Sequence, residues 1–282
     1  MTAACHCRTM TAGEVAQAVQ WAADEGWNPG LHDADTFRRA DPSGFFVGVL
    51  DGEPVASLSV VKYGQDFAFL GLYIVRPAFR GLGLGWALWQ HGMASVPGRQ
   101  VGLDGVVAQQ ANYRKSGFGL AWRNVRHEGR GTGPVSRDPH VVPIASQPLE
   151  ALRDYDAAFF PADRSVLLRA WLAQQDASAF AWLEDGGVRG YGAVRRCRSG
   201  WKIGPLFADT EAIAEGLYAA CAGEAAATDP VFLDIPEPNV AARALVQRHG
   251  MHMVFETARM YTGSAPALPL QRLYGIMSFE LG

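Results

Sequence analysis

Three glycines fall within five positions at Gly81-Leu82-Gly83-Leu84-Gly85, immediately after Arg80. The run Leu70–Val75 before them has strand character, and the run from Trp86 onward has helix character. Glycine loses more backbone entropy on folding than any other residue, so a run of it weakens both neighbours. Its use here is to uncover backbone N–H groups at a helix N-terminus, where free donors and the helix dipole together favour phosphate. Two nucleotide sites fail on spacing. A P-loop needs Gly-Lys-Ser/Thr at the loop's end, and Leu84-Gly85-Trp86 supplies neither the lysine nor the hydroxyl. A dinucleotide fingerprint starts directly off its strand, whereas here Arg76-Pro77-Ala78-Phe79-Arg80 intervenes and the glycine spacing is one residue short.

The elements that hold this loop are legible from pattern. Thr11-Ala12-Gly13-Glu14 has capping-box spacing and opens a run of helical period. Strands are expected at 45–50, 54–63 and 67–75, antiparallel because an Asp51-Gly52 turn and a turn at 64–66 join them. The helix after the loop should end near Ala94, followed by a strand over 100–107, a short helix over 109–116 and a strand over 117–127. A Gly/Pro-rich polar stretch, 129–140, reads as a linker. The same order then returns: strands at 180–184, 188–197 and 201–208, a helix from Glu211, a strand at 231–235, a helix over 239–249 and a strand at 252–261. Asp51-Gly52 matches Asp185-Gly186, Leu103-Asp104 matches Leu233-Asp234, and Gly117-Phe118 matches Gly250-Met251. The stretch from the first anchor to the second is nearly the same in both copies, Asp51 to Asp104 and Asp185 to Asp234, which argues for one unit used twice.

With its preceding strand and following helix, Arg80-x-x-Gly83-x-Gly85 resembles the acyl-CoA signature of the GNAT superfamily of N-acetyltransferases, [RQ]-x-x-G-x-[GA]. Asn112-Tyr113-Arg114-Lys115-Ser116-Gly117-Phe118 resembles the same family's Y-x-x-x-G-F segment. The likeness covers about residues 8–128 by motif and the second half by architecture. It implies an α/β (α+β) fold of two GNAT-like domains, each a mixed, mostly antiparallel sheet flanked by helices: residues 1–128 binding acetyl-CoA, and 141–282 lacking the cofactor loop. "LFADTEAI" (206–213) stands where the second loop would be, without glycines and with an unfavourable anion at Asp209. This half should wall the acceptor pocket.

The resemblance also assigns roles. Amides around Tyr73, Ile74 and Val75 should pair with the pantetheine arm as an added strand would. Arg80 and the amides of Gly81, Leu82, Gly83, Leu84 and Gly85 should hold the pyrophosphate, and Asn112 belongs to the same cofactor set. Acetyl transfer to a primary amine of a small molecule or peptide needs a base for the amine and an acid for the departing thiolate. Tyr113 holds the family's acid position, although the segment also packs its helix. The base stays open between Asp104 and Glu25. Asp104 is doubtful because Asp234 matches it in a copy without a cofactor loop. Asp24, Trp27 and Asn28 lie where the family lines its acceptor pocket, while His91 and His32 are thinner candidates.

Composition sets the remaining bounds. Of 282 residues, 49% are hydrophobic and 19% charged. A net charge of -3 offers no basic footprint for nucleic acid. That weighs against an aminoacyl transferase using charged tRNA. At this level a catalytically inactive acyl-CoA sensor is the other alternative. The opening residues hold no apolar run of signal length, and no stretch reaches the roughly 20 apolar residues that span a bilayer. Four cysteines form no disulfide framework. Cys5-His6-Cys7 is too tightly spaced for structural zinc, so no metal is expected. The chain reads as a cytoplasmic protein of undetermined oligomeric state.

Overall fold

The computed structural model describes residues 6–282, so Cys5 of the Cys5-His6-Cys7 triplet lies outside them. The first half runs β1 (His6–Thr9), α1 (Ala12–Asp24), α2 (Asp33–Ala40), β2 (Phe45–Leu50), β3 (Glu53–Tyr63), β4 (Phe67–Val75), α3 (Leu84–Ala94), β5 (Gln100–Val106), α4 (Gln110–Lys115) and β6 (Phe118–Arg130). The second runs β7 (Val141–Pro143), α5 (Leu149–Asp156), α6 (Ser165–Leu172), β8 (Ala177–Glu184), β9 (Gly187–Arg196), β10 (Trp201–Ala208), α7 (Glu211–Ala222), β11 (Pro230–Pro236), α8 (Val240–Arg248), β12 (His252–Thr262) and β13 (Leu273–Gly275). The capping box at Thr11 forms as its spacing requires. Its hydroxyl accepts from the Glu14 amide, and the Glu14 carboxylate accepts from the Thr11 amide at 2.8 Å. Val15, Ala18, Val19 and Ala22 are then the buried stripe of α1.

Two features depart from the linear reading. Gly129 and Arg130, expected in a linker, are the last residues of β6. The two units also share one sheet rather than holding a sheet each. Its order is β1-β2-β3-β4-β5-β12-β6-β11-β10-β9-β8-β7, with β13 on β10. The last strand of each half has crossed over. β12 pairs with β5 over Gly102–Val106, and β6 pairs with β11 over Asn124–Arg130. The two exchanged strands pair with one another in the middle. Among the described residues, the strand pairings are antiparallel except β4 with β5 and β10 with β11.

Alternation along the strands gives the sheet two buried faces. On β3, Ala56, Leu58 and Val60 join a cluster with Leu88 and Trp89 of α3, while Val61 and Tyr63 face the other way. That opposite face carries one core common to both halves, which holds Val15 and Val19 of α1 together with Leu167, Leu168 and Trp171 of α6. A third cluster packs α7 and α8 on the second half.

The exchange generates an expected outcome. Residues 1–130 produced alone should show no cooperative thermal transition, because β5 and β6 would each lose the strand between them. Mixing with residues 131–282 should restore one melt by circular dichroism. A separate, cooperative melt of the first fragment would contradict the interdependence of the halves.

Candidate active site

The site begins where β4 and β5 part. Their parallel ladder runs only from Phe67–Gln100 to Leu70–Leu103. Beyond it β5 stays with β12, and β4 bends away through a bulge opposite Ser57 and Ser59. Leu72 takes a left-handed backbone there, with φ 46°. That conformation costs a non-glycine residue on the order of 1 kcal/mol or more. The buried Ser57 hydroxyl offsets part of this by donating to the Leu72 carbonyl at 2.7 Å. The Arg76 amide donates to Val55 of β3. Strand alternation therefore turns the Val75 N–H group the opposite way, into the gap left by β5.

The glycine loop follows. Gly81 and Gly83 have φ of 79° and 78°, which is why side chains are unwelcome there. Gly85 serves close packing instead: a Cβ on it would lie 2.8 Å from the Tyr73 hydroxyl and from Val75. Gly83 is the N-cap of α3 and brings no side chain to bond the first-turn amides, which stay free for a ligand. Arg80 donates through Nε to the Val75 carbonyl at 2.8 Å and pairs with the Glu25 carboxylate at the end of α1.

A cavity of about 400 Å³ fills the gap. Tyr73, Ile74, Val75, Arg80, Asp104, Tyr113, Glu25 and Trp27 line it, so half of the expected site residues are brought together. Tyr113 is buried and stacks on Trp89 at 5.8 Å between centroids. It lies flat against Gly105, where a Cβ would overlap its ring. Burial, with Tyr73 nearby, pushes its phenol well above the ordinary tyrosine range, keeping it protonated.

Other expected residues stand elsewhere or are already engaged. Asp24 is exposed and bonded to Gln20. Asn28 exchanges hydrogen bonds of 2.9 and 2.8 Å with the Ser199 backbone, tying the halves together rather than facing the cavity. Asn112 bonds Gln109 at 2.7 Å, and Gln109 is the one on the cavity wall. Of the thinner histidine candidates, His91 packs edge-on against Phe46 and His32 bonds Asp176. Asp104 accepts from Arg259 at 2.6 Å, from Asn124 at 2.8 Å and from Thr257 at 3.3 Å, with its side chain wholly covered. A carboxylate so occupied anchors its neighbours.

Four lining residues come from the second half and escaped the sequence reading: Phe255 and Thr257 of β12, with Phe279 and Glu280 from the segment after β13. Pattern could show that β12 is a strand, but not that it borders the other copy's β5.

The second copy has the same splay and closes it. β10 and β11 pair from Trp201–Val231 to Ile203–Leu233, and then β13 lies against β10 at Leu206 and Phe207. The Ile276 amide next donates to the Asp234 carbonyl at 2.9 Å. At the head of α7 the Thr210 hydroxyl accepts from the Ile213 amide, and the Asp209 carboxylate is bonded by Arg272 and Tyr155. Strand, cap and anion here occupy what the first copy leaves open.

Comparison with known proteins agrees with this architecture. The pattern of the acetyltransferase (GNAT) family matches residues 13–118, and that of an acetyltransferase (GNAT) domain matches 152–275. The chain is 31% identical to the holothin acyltransferase of Pseudoalteromonas sp. (strain SANK 73390) over 263 residues, 93% of this chain and 90% of that protein. Among solved structures it superposes on a putative acetyltransferase from Pyrococcus horikoshii with a TM-score of 0.84 at 24% identity, covering 99% of this chain and 96% of that one. A tandem GNAT protein from the clavulanic acid biosynthesis pathway gives a TM-score of 0.64 at 16% identity, over 94% of this chain and all of the other (100%).

The anchoring role of Asp104 carries its own expectation. Asp104→Ala should cost about 3–5 kcal/mol in denaturant unfolding, because it strands a buried guanidinium. Adding Arg259→Met should recover much of that loss. An Asp104→Ala protein of unchanged stability but abolished turnover would return Asp104 to the list of bases.

Proposed function

The chain belongs to the GNAT superfamily of acyltransferases, and on that premise we propose that its first half binds one acyl-CoA, acetyl-CoA in the simplest case, and passes the acyl group to a primary amine. The observation that carries this reading is the pairing of an open splay beside Tyr73–Val75 with an uncapped α3 N-terminus, in this copy alone. The added-strand geometry suits the pantetheine arm, and the free amides from Gly81 to Gly85 suit the pyrophosphate. Arg80 adds a cation at the same wall and would exchange Glu25 for phosphate on binding. In this reading a free N–H of β4 polarises the thioester carbonyl. The amine nitrogen attacks that carbon, the C–S bond breaks, and the Tyr113 hydroxyl donates to the departing sulfur before regaining its proton from water.

The acceptor side favours a small molecule over a folded protein. Trp27, Phe255 and Phe279 enclose it, and a cavity of about 400 Å³ leaves little width for a chain passing through. A relative named for acylating holothin supports acyl transfer as the reaction. No helix among the described residues is long and apolar enough to cross a membrane. The buried, unbridged thiols of Cys197 and Cys221 support a reducing, cytoplasmic setting.

Calorimetry with acetyl-CoA should return one site per chain, and Gly83→Glu should remove it while leaving the fold and its cooperative melt in place. A carboxylate at that position occupies phosphate space and repels the ligand. Two sites in the wild type, or unchanged affinity in the folded variant, would overturn the assignment.

Tyr113→Phe should lower kcat roughly ten- to a thousandfold with little change in acetyl-CoA affinity, since the ring and its stack on Trp89 remain. Wild-type turnover would make Tyr113 a packing residue.

A further inference from the structure

We propose that Glu280 is the group that takes the acceptor amine's proton. The inference rests on the acyl-transfer reading above and supplies the base it lacks. Glu280 belongs to neither half's recurring unit. It arrives on the segment that leaves β13 and runs between the halves. That segment crosses both splays at glycine. A Cβ on Gly204 would lie 2.6 Å from the Ile276 carbonyl oxygen, and one on Gly71 would collide with the carbonyl oxygen of Glu280. Gly71 is the first residue of β4 beyond the parallel ladder. Residue 280 is thereby pinned against Gly71 and shares one cavity wall with Leu72 and Tyr73, along which the acyl-transfer reading runs the acyl group.

The three carboxylates on the cavity wall differ in what they already hold. Glu25 is paired with Arg80, and Asp104 with Arg259, Asn124 and Thr257. The Glu280 carboxylate has no hydrogen bond or ion pair among the described residues, although the residue is only 4% exposed. Burial of such a group without a partner is costly unless a ligand completes it. The charges around it are Arg126 of β6, Arg195 of β9, Lys202 of β10 and Asp33 of α2. Arg126 is neutralised by Asp234 and Arg195 by Asp33 at hydrogen-bond distance, and the Lys202 ammonium donates to the Asn28 carbonyl. Desolvation outweighs these cations and holds the Glu280 carboxyl above the ordinary glutamate range, which makes its ionised form a stronger base.

In the step itself, the lone pair of the neutral amine forms the C–N bond, and one N–H bond breaks with its proton going to a Glu280 oxygen. The electron pair of the C–S bond leaves on sulfur, which is protonated from Tyr113, and Glu280 returns its proton to solvent.

The test compares wild type, Glu280→Gln and Glu280→Asp with acetyl-CoA and the best-used member of a panel of aromatic, alkyl and peptide N-terminal amines. Thiol release gives the rate, and hydrolysis of acetyl-CoA by water serves as the readout if no amine is used. Glu280→Gln should keep one acetyl-CoA site and a normal melting temperature, yet lose about a hundredfold or more in kcat near neutral pH. In wild type, kcat/KM should rise with pH as Glu280 ionises, and that acidic limb should vanish in Glu280→Gln. Glu280→Asp should restore part of the rate and the limb. Wild-type kcat with the limb intact in Glu280→Gln, or a change confined to the acceptor's KM, would overturn the proposal while leaving acyl transfer standing. Failure of wild type to bind acetyl-CoA would instead overturn the reading beneath it.

Discussion

Two buried ion pairs made by the same residues in the two copies govern this molecule. Asp104 of β5 sits opposite Arg259 of β12, and Asp234 of β11 sits opposite Arg126 of β6. Each arginine stands nine positions after its copy's glycine anchor, Gly117 or Gly250, and each reaches into the other copy. Both pairs close at 2.6 Å with all four side chains nearly or wholly covered. Taking such charges out of water offsets most of their attraction, so the pairs add little net stability over apolar residues of like size. They are costly to separate, however. A one-residue slip of β12 or β6 would bury a guanidinium against no anion, and that penalty fixes the register of the exchange.

The catalytic geometry follows from that register. Holding β5 on β12 lets it leave β4 after Leu103, and the gap between them is the cavity. β12 also carries Phe255 and Thr257 to its wall, so the second unit helps to complete the site. Duplication supplied two splays, and a single terminal segment distinguishes them. β13 fills one as an extra strand, and the residues beyond it only border the other. In the filled copy a strand of the protein's own backbone occupies the place that stays open beside β4.

Electrostatics divides the carboxyl groups in the same way. Asp33, Asp156, Asp104 and Asp234 each face a buried arginine within hydrogen-bond distance, and their charge is spent on structure. Among the described residues, Glu280 is the carboxylate on the cavity wall that lacks such a partner. A protein interior that pairs its charges so consistently makes the unpaired one conspicuous.

The sequence by itself determined what depends on short range. The glycine loop is recognisable because φ, packing and amide exposure at 80–85 are set within a few residues, and the strands and turns because side-chain period is local. The duplication is legible through repeated anchors, and the equivalence of Asp104 and Asp234 already favoured a structural role for both. Partners were hidden. Arg126 lies 108 residues from Asp234, and Arg259 lies 155 from Asp104. Both spacings allow an arginine from either copy, and only the folded sheet chooses. Asn28 and Asp24 are polar residues near the end of a helix in sequence, but one is drawn to Ser199 and the other left in solvent. Glu280 has no motif, because its proposed chemistry comes from burial without a hydrogen-bond partner among the described residues. Those are properties of a packed interior, and no window along the chain contains them.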